Sequence, residues 1–481
     1  MRFWSLAKIF CMAAMFIAVV PAWAGGPLFV GSNTFGVDGK IMTWDPAAMP
    51  VHYRVDGGPM SAKTTGQTVV DNTTGKSRIA SMLQTWTSVP TAKITFQNDG
   101  TILGAPGFSD GDVSTAAEFN AVFGSCQNGA QSPIVFDATG GILQQLGIDP
   151  HVIGFSSQCK LSSAGFITAD IVLLNGGFLN GTGLQISNNQ FDEAMTHELG
   201  HLLGLDHSQI NLDLFNTFNG VCSADSRAGL PLMFPVLFCA ARVDSGLPKL
   251  SPDDTAWISR LYPSASFATA YATISGTIFF SDGQTPAQGV NVIARQVDDT
   301  GTPQNESLRV AVSVVSGYRF TGNPGQTVTA NYLPCSPAGS TNCPASGFLE
   351  GNPGSQFGSK NVGLAGTFDI LVPAGASYTL QVESVDGDFS GGSSVGPLDP
   401  PFLLPGVPEF WDSNESAFDD TTASTPIPTS PGEIINNKNI ILNGTQPRFD
   451  DFEDNGVAEL FRGRLCPWLR DELIFDAAEA V

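Results

Sequence analysis

Basic residues are scarce in this sequence. Its 481 residues include 22 lysines and arginines against 45 aspartates and glutamates, which gives a formal net charge of −23. Binding to nucleic acid or to an anionic lipid surface needs a basic face, because phosphate groups must be neutralised. The charge balance therefore argues against both kinds of partner.

Long apolar runs are absent beyond the first 24 residues. That segment has two cations, an apolar stretch from Ile9 to Val20 and a small-residue end at Ala24, an arrangement typical of a secretory signal peptide. The next apolar stretch, Pro231 to Ala241, is shorter than the roughly 20 residues that cross a bilayer. We therefore expect a chain secreted to the extracellular space or periplasm, without a transmembrane anchor.

Charged residues of both signs are few. They make up 14% of the chain, which contains 53 glycines and 32 prolines, a composition that favours a β-rich, loop-rich extracellular protein over a helical bundle. The roughly 457 residues after Ala24 suggest two to four domains. Solubility outside the cell explains most of the acidic excess, and calcium binding is the lesser alternative.

Cysteine is sparse too, with eight in the chain, and Cys11 belongs to the predicted signal peptide. In an oxidising compartment, six of the others are able to pair as sequence neighbours. These six are Cys126, Cys159, Cys222, Cys239, Cys335 and Cys343. Cys466 would be left over, as a buried free thiol, an intermolecular disulfide or a metal ligand.

The region up to residue 266 mixes strand and helix patterns, which predicts an α+β domain over residues 25–266. Short β-branched and aromatic runs predict strands; these are Val51–Val55, Ala92–Gln97, Ile134–Phe136, Val152–Phe155 and Ile167–Leu174. The period of apolar residues predicts three helices. They are a helix between Val69 and Trp86, one from about Gln190 to Leu203 capped by Asn188 or Asn189, and Pro252–Leu261 with a capping box of Ser251 and Asp254.

After residue 266 the sequence pattern changes from mixed helix and strand to strand alone. Residues 267–385 show strand runs separated by glycine turns and no helical period, which predicts an all-β sandwich domain. Residues 298–363 are expected to form a long insertion in it. Residues 386–481 are rich in proline, glycine, serine and aspartate, and we expect them to be irregular or weakly β.

Histidine is also rare, and its distribution is informative. Three of the five histidines fall in residues 197–207, which read HELGHLLGLDH. On a helix, His197 and His201 lie one above the other, so both rings reach a single ion. Gly204 is able to adopt a positive φ and end the helix, so that His207 arrives as a third ligand.

Three neutral nitrogens leave the fourth tetrahedral position to water, which is typical of a catalytic zinc site and not of a structural one. Glu198 follows His197 and points to the same opening, where it is placed to act as the general base on that water. The spacing predicts one zinc ion with His197, His201 and His207 as ligands and Glu198 as the catalytic residue.

At this point the sequence resembles the metzincin metallopeptidases, and among them the matrixins. The resemblance covers roughly Thr43 to Pro263 and includes the histidine motif and Ser208. It also includes Pro231–Pro235, which is similar to the family's methionine turn, and Leu250–Asp254, which is similar to its closing helix. The interval from His207 to Met233 is longer than is typical of matrixins.

The resemblance implies further roles. Met233 would form an apolar floor beneath the ligands, and the strand Ile167–Leu174 would be an edge strand that pairs with substrate. The residues assigned to this role are Ile167, Ala169, Ile171 and Leu173. An unpaired strand edge also suits this role physically, because it binds a peptide backbone whatever its side chains. The later sandwich resembles the prealbumin-like modules of secreted peptidases, where contact with a cell surface or matrix is the expected role.

Other candidate residues have simpler explanations. Asp110, Asp112 and Asp137 lie in glycine-rich loops where calcium is able to bind, although aspartate is common in turns anyway. His52 and His151 are expected to be packed or hydrogen-bonded, not to be ligands.

The function predicted from the sequence is hydrolysis of internal peptide bonds in extracellular proteins by a zinc endopeptidase. One alternative is a processing protease of narrow specificity. Another is an adhesion or binding protein with a vestigial peptidase domain. The intact Glu198 and the intact histidine ligands argue against this alternative. We also expect residues 25–266 to fold and cleave without the rest.

Overall fold

The structure is a computed structural model. It describes residues 26–28, 41–104, 108–208, 210–211, 214, 220–284, 286–287, 290–302, 304–316, 366–383 and 408–443, and the backbone of two-residue strands at 325–326, 333–334, 348–349, 358–359 and 473–474. The predicted signal peptide, Cys335, Cys343 and Cys466 lie outside the described residues.

A mixed sheet organises the first half of the chain. The first eight strands are β1 (Thr43–Trp44), β2 (Val51–Val55), β3 (Ser61–Ala62), β4 (Thr68–Val70), β5 (Phe96–Thr101), β6 (Pro133–Asp137), β7 (Gly154–Leu161) and β8 (Phe166–Asn175). In this sheet β5, β2, β6 and β8 are parallel neighbours in that order, and β7 extends it antiparallel to β8. β1 pairs in parallel with the start of β8, while β3 and β4 form a separate pair.

Helices cover this sheet and connect its strands. They are α1 (Asn72–Thr87), α2 (Ala116–Gln127), α3 (Gly141–Leu146), α4 (Asn188–Leu202), α5 (Ala224–Gly229), α6 (Pro252–Leu261), α7 (Phe267–Ala270) and α8 (Glu306–Arg309), with 3-10 turns at Pro46–Ala48, Gly176–Leu179 and Arg242–Ser245. No helix among the described residues is long and apolar enough to span a bilayer.

Two of the predicted strands are displaced in the structure. The strand predicted at Ala92–Gln97 is β5, which begins at Phe96 and continues through polar residues that pair with β2. The strand predicted at Val152–Phe155 is β7, which begins at Gly154 and extends to Leu161. Both strands are held by backbone pairing with a neighbour, so their own apolar pattern marks their ends poorly.

β8 is an interior strand, so the prediction of an edge strand at Ile167, Ala169, Ile171 and Leu173 is wrong. β8 pairs with β7 on one side and with β6 and β1 on the other. The four side chains are at most 2% exposed. A near-continuous apolar run indicates a strand covered on both faces, and it does not tell whether the hydrogen-bonding edges of the strand are paired. Among the described residues β7 pairs with β8 alone, and β5 pairs with β2 alone at the other end of the sheet, so each of these two strands has an unpaired edge.

The N-terminus of α4 is capped one residue earlier than predicted. The hydroxyl of Ser187 accepts a hydrogen bond from the N–H of Gln190 at 3.1 Å, and Oε1 of Gln190 accepts one from the N–H of Ser187 at 3.0 Å. This reciprocal capping box leaves Asn188 as the first helical residue. The capping box predicted for Ser251 and Asp254 at the start of α6 is confirmed.

Two disulfides join neighbouring cysteines, as expected. Cys126 and Cys159 connect α2 to β7, and Cys222 and Cys239 bracket the segment that includes Met233. Both bonds lie in the part of the chain that carries the mixed sheet and its helices, and they fit an oxidising compartment.

Two larger sheets lie in the second half, beside several pairs of two-residue strands. The later strands are β9 (Val236–Leu237), β10 (Tyr271–Phe279), β11 (Asn291–Gln296), β12 (Ala311–Val315), β13 (Gly325–Gln326), β14 (Leu333–Pro334), β15 (Phe348–Leu349), β16 (Gly358–Ser359), β17 (Thr367–Pro373), β18 (Ser377–Glu383), β19 (Glu409–Phe410), β20 (Ile427–Pro428), β21 (Ile434–Ile435), β22 (Ile440–Ile441) and β23 (Leu473–Ile474). One sheet contains β17, β10, β21 and β22, and the other contains β12, β11, β18, β19 and β20. β12 and β17 bring the two sheets into contact.

Two predicted boundaries cut through these sheets. β12 lies inside the insertion predicted at residues 298–363, yet it pairs along its length with β11. The strands of residues 408–443 lie in the region predicted to be irregular, yet they pair with β18 and β10. These strands have only two residues each, too few to show a sequence period.

The two halves share a continuous apolar core, and helix α6 lies at their interface. Nε1 of Trp257 donates to the carbonyl of Ser313 in β12 at 3.1 Å, and Arg260 pairs with Asp369 in β17 at 2.6 Å. Trp257 is only 2% exposed in the full chain, and truncation after residue 266 would uncover its side chain. The interface therefore argues against the expectation that residues 25–266 suffice alone.

We predict that Arg260→Met destabilises the chain, because it leaves the carboxylate of Asp369, 4% exposed, without its cation. The expected loss is about 1–3 kcal/mol, or roughly 1–3 °C in melting temperature for a chain of this size. Calorimetry measures it. Arg309→Met is the control, because Arg309 pairs across the same halves with Asp225 in a more exposed position. Equal melting temperatures for the two variants would contradict the prediction.

Candidate metal centre

Helix α4 carries the first two histidines of the candidate site. His197 and His201 are four residues apart and therefore lie on one side of the helix, where they are 0% and 1% exposed. Another side of α4 is held by α1, since Nε1 of Trp86 donates to the carbonyl of Thr196 at 3.0 Å and Arg78 pairs with Asp192. The two rings are thus attached to a helix that is anchored along its length.

Gly204 ends the helix in the conformation that the sequence predicts. Its φ is +85°, a left-handed value that residues with a Cβ rarely adopt, and its N–H donates to the carbonyl of His201 at 2.7 Å. A Cβ at this position would also come within 3.0 Å of the carbonyl oxygen of Met42. The turn directs the chain back toward the helix, so that His207 reaches the first two histidines.

The three imidazoles meet at their Nε2 atoms. Nε2 of His201 lies 3.0 Å from Nε2 of His197 and 3.1 Å from Nε2 of His207. Two nitrogens bound to one tetrahedral ion at 2.0–2.1 Å would be about 3.4 Å apart. The observed spacing is close to this value, so the group is able to hold one metal ion.

The Nδ1 atoms of two rings, on the side away from the Nε2 cluster, are hydrogen-bonded to backbone carbonyls. Nδ1 of His197 lies 2.8 Å from the carbonyl oxygen of Leu232, and Nδ1 of His201 lies 2.8 Å from that of Leu205. A carbonyl accepts only, so each Nδ1 carries the proton and each Nε2 keeps its lone pair. Burial, and then the neighbouring His201, hold the pKa of His197 well below its ordinary value, which favours the neutral ligand form.

Glu198 is buried beside the start of β7. It is 0% exposed, and a Cβ on Gly154 would lie 3.0 Å from its Cγ and 3.3 Å from its Oε1. The glycine therefore leaves room for the carboxylate where β7 begins. The predicted general base, the histidine helix and the start of β7 thus come together at one place.

Met233 packs against helix α4 at Gly200, which lies between His197 and His201 in the sequence. A Cβ on Gly200 would collide with the sulfur of Met233. The carbonyl of Met233 accepts the N–H of Ser208, the residue after the third histidine, at 2.7 Å. Met233 is 2% exposed, so it provides an apolar contact against this helix.

Asp254 anchors the turn that contains Met233. Its carboxylate oxygens accept the N–H groups of Leu232 at 2.9 Å and Met233 at 3.0 Å, and Oδ2 also accepts the N–H of Ser251. The sequence indicated Asp254 only as a helix cap. Its role at the turn depends on a contact across 22 residues that no local pattern reveals.

Asp253 connects the segment that contains His207 and Ser208 to the second half of the chain. Its Oδ1 accepts the N–H of Ser313 at 3.0 Å and Nε1 of Trp257 at 3.2 Å, and the hydroxyl of Ser208 also bonds to it. Burial, with a further contribution from Asp254, raises its pKa to about 7. Sequence reasoning did not single this residue out, although two adjacent acids at a helix start were a signal.

The segment after the predicted signal cleavage site also contacts the site. The N–H of Leu28 donates to the carbonyl of Gly204 at 2.7 Å, and the N–H of Asp206 donates to the carbonyl of Gly26 at 3.0 Å. Residues 26–28 therefore lie along the loop that delivers His207. No sequence pattern predicts this contact, because it is made by backbone atoms.

The remaining candidates have local roles. Oδ2 of Asp137 accepts a backbone N–H at the start of α3, and Oδ1 of Asp110 accepts the N–H of Asp112. Within the described residues these three carboxylates do not form a common ligand group. His52 bonds to Asp99 at 2.9 Å and His151 to Asp149 at 2.7 Å, so the prediction that they are hydrogen-bonded is confirmed.

Comparison of the chain with protein-family models, with curated proteins and with solved structures found no match in any of the three. The case for function therefore depends on the residues of the site and their geometry.

We predict that Asp254→Asn weakens metal binding about 10–100-fold, because an amide nitrogen would face a backbone N–H of the Met233 turn that orients His197. Competition with a chromophoric chelator measures the affinity. The control is Asp149→Asn, which removes an exposed acid far along the chain from the turn. An unchanged affinity in folded Asp254→Asn would show that the turn does not support the site.

Proposed function

We propose that the chain is a secreted zinc endopeptidase of the metzincin type, matrixin-like, with a zincin-like fold in its first half. The observation that carries the proposal is the approach of three imidazole Nε2 atoms, with Glu198 next to His197 on the same helix. The mixed sheet beside α4 and the methionine packed against the histidine helix support the same conclusion.

Zinc suits this set of donors. Three neutral imidazoles with one position left open are the usual ligands of a catalytic zinc ion. Imidazole also binds copper, iron and nickel, so the proposal rests on the donor set together with the resemblance of the motif. The residues that would hold the ion are His197, His201 and His207.

Glu198 is the proposed general base and then the general acid. When bound, zinc would polarise the scissile carbonyl and lower the pKa of a coordinated water to about 7. Glu198 takes the proton of the attacking water and delivers it to the leaving amine. Its complete burial excludes bulk solvent, and the low dielectric strengthens its interaction with the charges that develop.

The open edge of β7 is the proposed binding strand for the substrate, in place of β8. β7 begins at Gly154 beside Glu198, and among the described residues its second edge is unpaired. A peptide that adds to this edge would be held by its backbone, with its scissile bond carried toward the histidines. Backbone binding favours extended internal segments of proteins, and hence endopeptidase activity.

Secretion is proposed from the apolar N-terminal segment together with the two disulfides, which persist in oxidising compartments. For the second half, a prealbumin-like sandwich with contacts to a cell surface or matrix remains our proposal. Its packing against α6 gives it a second role, the support of the Met233 turn and of Ser208 through Asp253 and Asp254.

We predict that Glu198→Gln keeps one zinc per chain and lowers kcat by at least 10²–10⁴-fold, because the amide cannot accept the proton. His201→Ala is the matched variant on the same helix, and it should lose the zinc itself. Elemental analysis and peptide cleavage measure the two quantities. Turnover above about a tenth of the unmodified chain in zinc-loaded Glu198→Gln would refute the assignment of the base.

We also predict that methylation of one backbone nitrogen at a time in a cleaved peptide lowers kcat/KM at every second position only. The reason is that the N–H groups of alternate residues in a paired strand point toward the neighbouring strand. A digest of casein and gelatin, read by mass spectrometry, first supplies the peptide. A uniform tolerance of methylation would contradict strand pairing. Casein and gelatin left intact would favour the processing protease of narrow specificity.

A further inference from the structure

The short strand β9 lies beside the histidine helix. It belongs to a segment that is fastened to α4 at both ends. The carbonyl oxygen of Leu232 lies 2.8 Å from Nδ1 of His197, and Nε2 of Gln190 donates to the carbonyl of Cys239 at 3.0 Å. Gln190 and His197 are about two helical turns apart. The segment with β9 therefore follows α4 up to the metal centre.

Further contacts hold this segment in place. Its end is closed by the disulfide between Cys222 and Cys239, and its start by the carboxylate of Asp254. The two residues of β9, Val236 and Leu237, are 7% and 5% exposed. A strand that is held in this way offers its backbone edge to an extended chain without first rearranging.

Another segment of the same chain occupies this edge. β23 pairs antiparallel with β9, so that Leu473 is opposite Leu237 and Ile474 is opposite Val236. Among the described residues β9 pairs with no other strand. β23 is therefore an intramolecular ligand of an edge that lies beside the metal centre.

The register gives the direction of the pairing. β23 runs from Leu237 toward Val236, which is the direction of Leu232 and of its contact with His197. Leu232, Val236 and Leu237 also line a cavity together with Glu193, which precedes His197 by one turn of α4. A chain paired with β9 thus lies next to this cavity and is directed toward the histidines.

β7 and the segment with β9 contact consecutive residues of α4. Gly154 at the start of β7 lies against Glu198, while Leu232 is bonded to His197. A peptide that reaches the metal centre therefore passes the segment with β9 as well as β7. Because strand pairing uses backbone groups, any extended peptide is able to use the groups of β9 that β23 uses.

We propose that β23 is a built-in competitor of the substrate, which occupies the edge of β9 and leaves it before a peptide binds along the metal centre. The inference rests on the proposed endopeptidase function and adds a form of regulation to it. Competition of this kind raises KM and leaves kcat unchanged, because β23 contacts no group that acts in the chemical step.

A modest affinity is sufficient for a competitor in the same chain. Its effective concentration is on the order of 1 mM. A dissociation constant of about 0.1 mM for the same segment free in solution would keep the edge of β9 about nine-tenths occupied and raise KM about tenfold. Substrate at a high concentration would displace β23.

Proline at both paired positions is the first test, made on the full zinc-loaded chain. Leu473→Pro with Ile474→Pro removes both N–H groups of β23, whereas the control, Leu473→Val with Ile474→Val, keeps them. In the proline variant the fragment with Val236 and Leu237 should exchange hydrogen faster, as read by mass spectrometry. KM for a cleaved peptide should fall roughly 3–10-fold with kcat unchanged. The valine control should behave as the unmodified chain.

A synthetic peptide of residues 469–478 is the second test, and calorimetry measures its binding in the Glu198→Gln background, where it is not cleaved. The peptide should bind the proline variant at about 0.1 mM, and the unmodified chain about tenfold more weakly because the edge of β9 is filled. The same peptide with methyl groups on the backbone nitrogens of residues 473 and 474 should not bind.

The proposal is overturned if the exchange of the β9 fragment and the binding of the peptide are the same in the proline variant and in the unmodified chain. It is equally overturned if exchange becomes faster while KM stays the same. A failure of the proposed function gives a different result, in which neither chain cleaves any peptide. Faster exchange would then establish the pairing of β23 with β9 and remove its role as a competitor.

Discussion

Three imidazole rings share a buried volume in which their Nε2 atoms approach to 3.0 and 3.1 Å. Such an approach requires neutral rings with fixed tautomers, since protonated imidazoles in a low-dielectric site repel strongly. The surrounding structure meets this requirement through backbone carbonyls. Those of Leu232 and Leu205 accept the outer N–H groups of His197 and His201 and leave the inner lone pairs free for an ion.

One of these carbonyls depends on contacts that extend into the second half of the chain. Leu232 belongs to the turn held by Asp254 at the start of α6, and the adjacent Asp253 bonds both to Ser208 and to β12. The orientation of the ligands is therefore coupled to the packing of the sandwich strands on α6. This coupling gives the second half a structural part in the chemistry proposed for the first.

Sequence reasoning succeeded where an interaction is local. The spacing of His197 and His201 and the positive φ at Gly204 follow from the geometry of one helix and its end. The edge strand was misplaced at β8 because an apolar run indicates that a strand is buried but does not show which strands pair with it. The role of Asp253 was missed because it depends on residues far away in sequence, whose approach only the folded chain reveals.

We propose that three imidazoles hold one zinc ion and leave a position open for catalysis. X-ray absorption at the zinc edge of the purified full chain measures the ligands of the ion. We expect three imidazole nitrogens at about 2.0–2.1 Å and one further light donor, with no sulfur. A sulfur donor at about 2.3 Å, or four imidazole-like nitrogens, would mean that the protein itself closes the site and would refute the proposal.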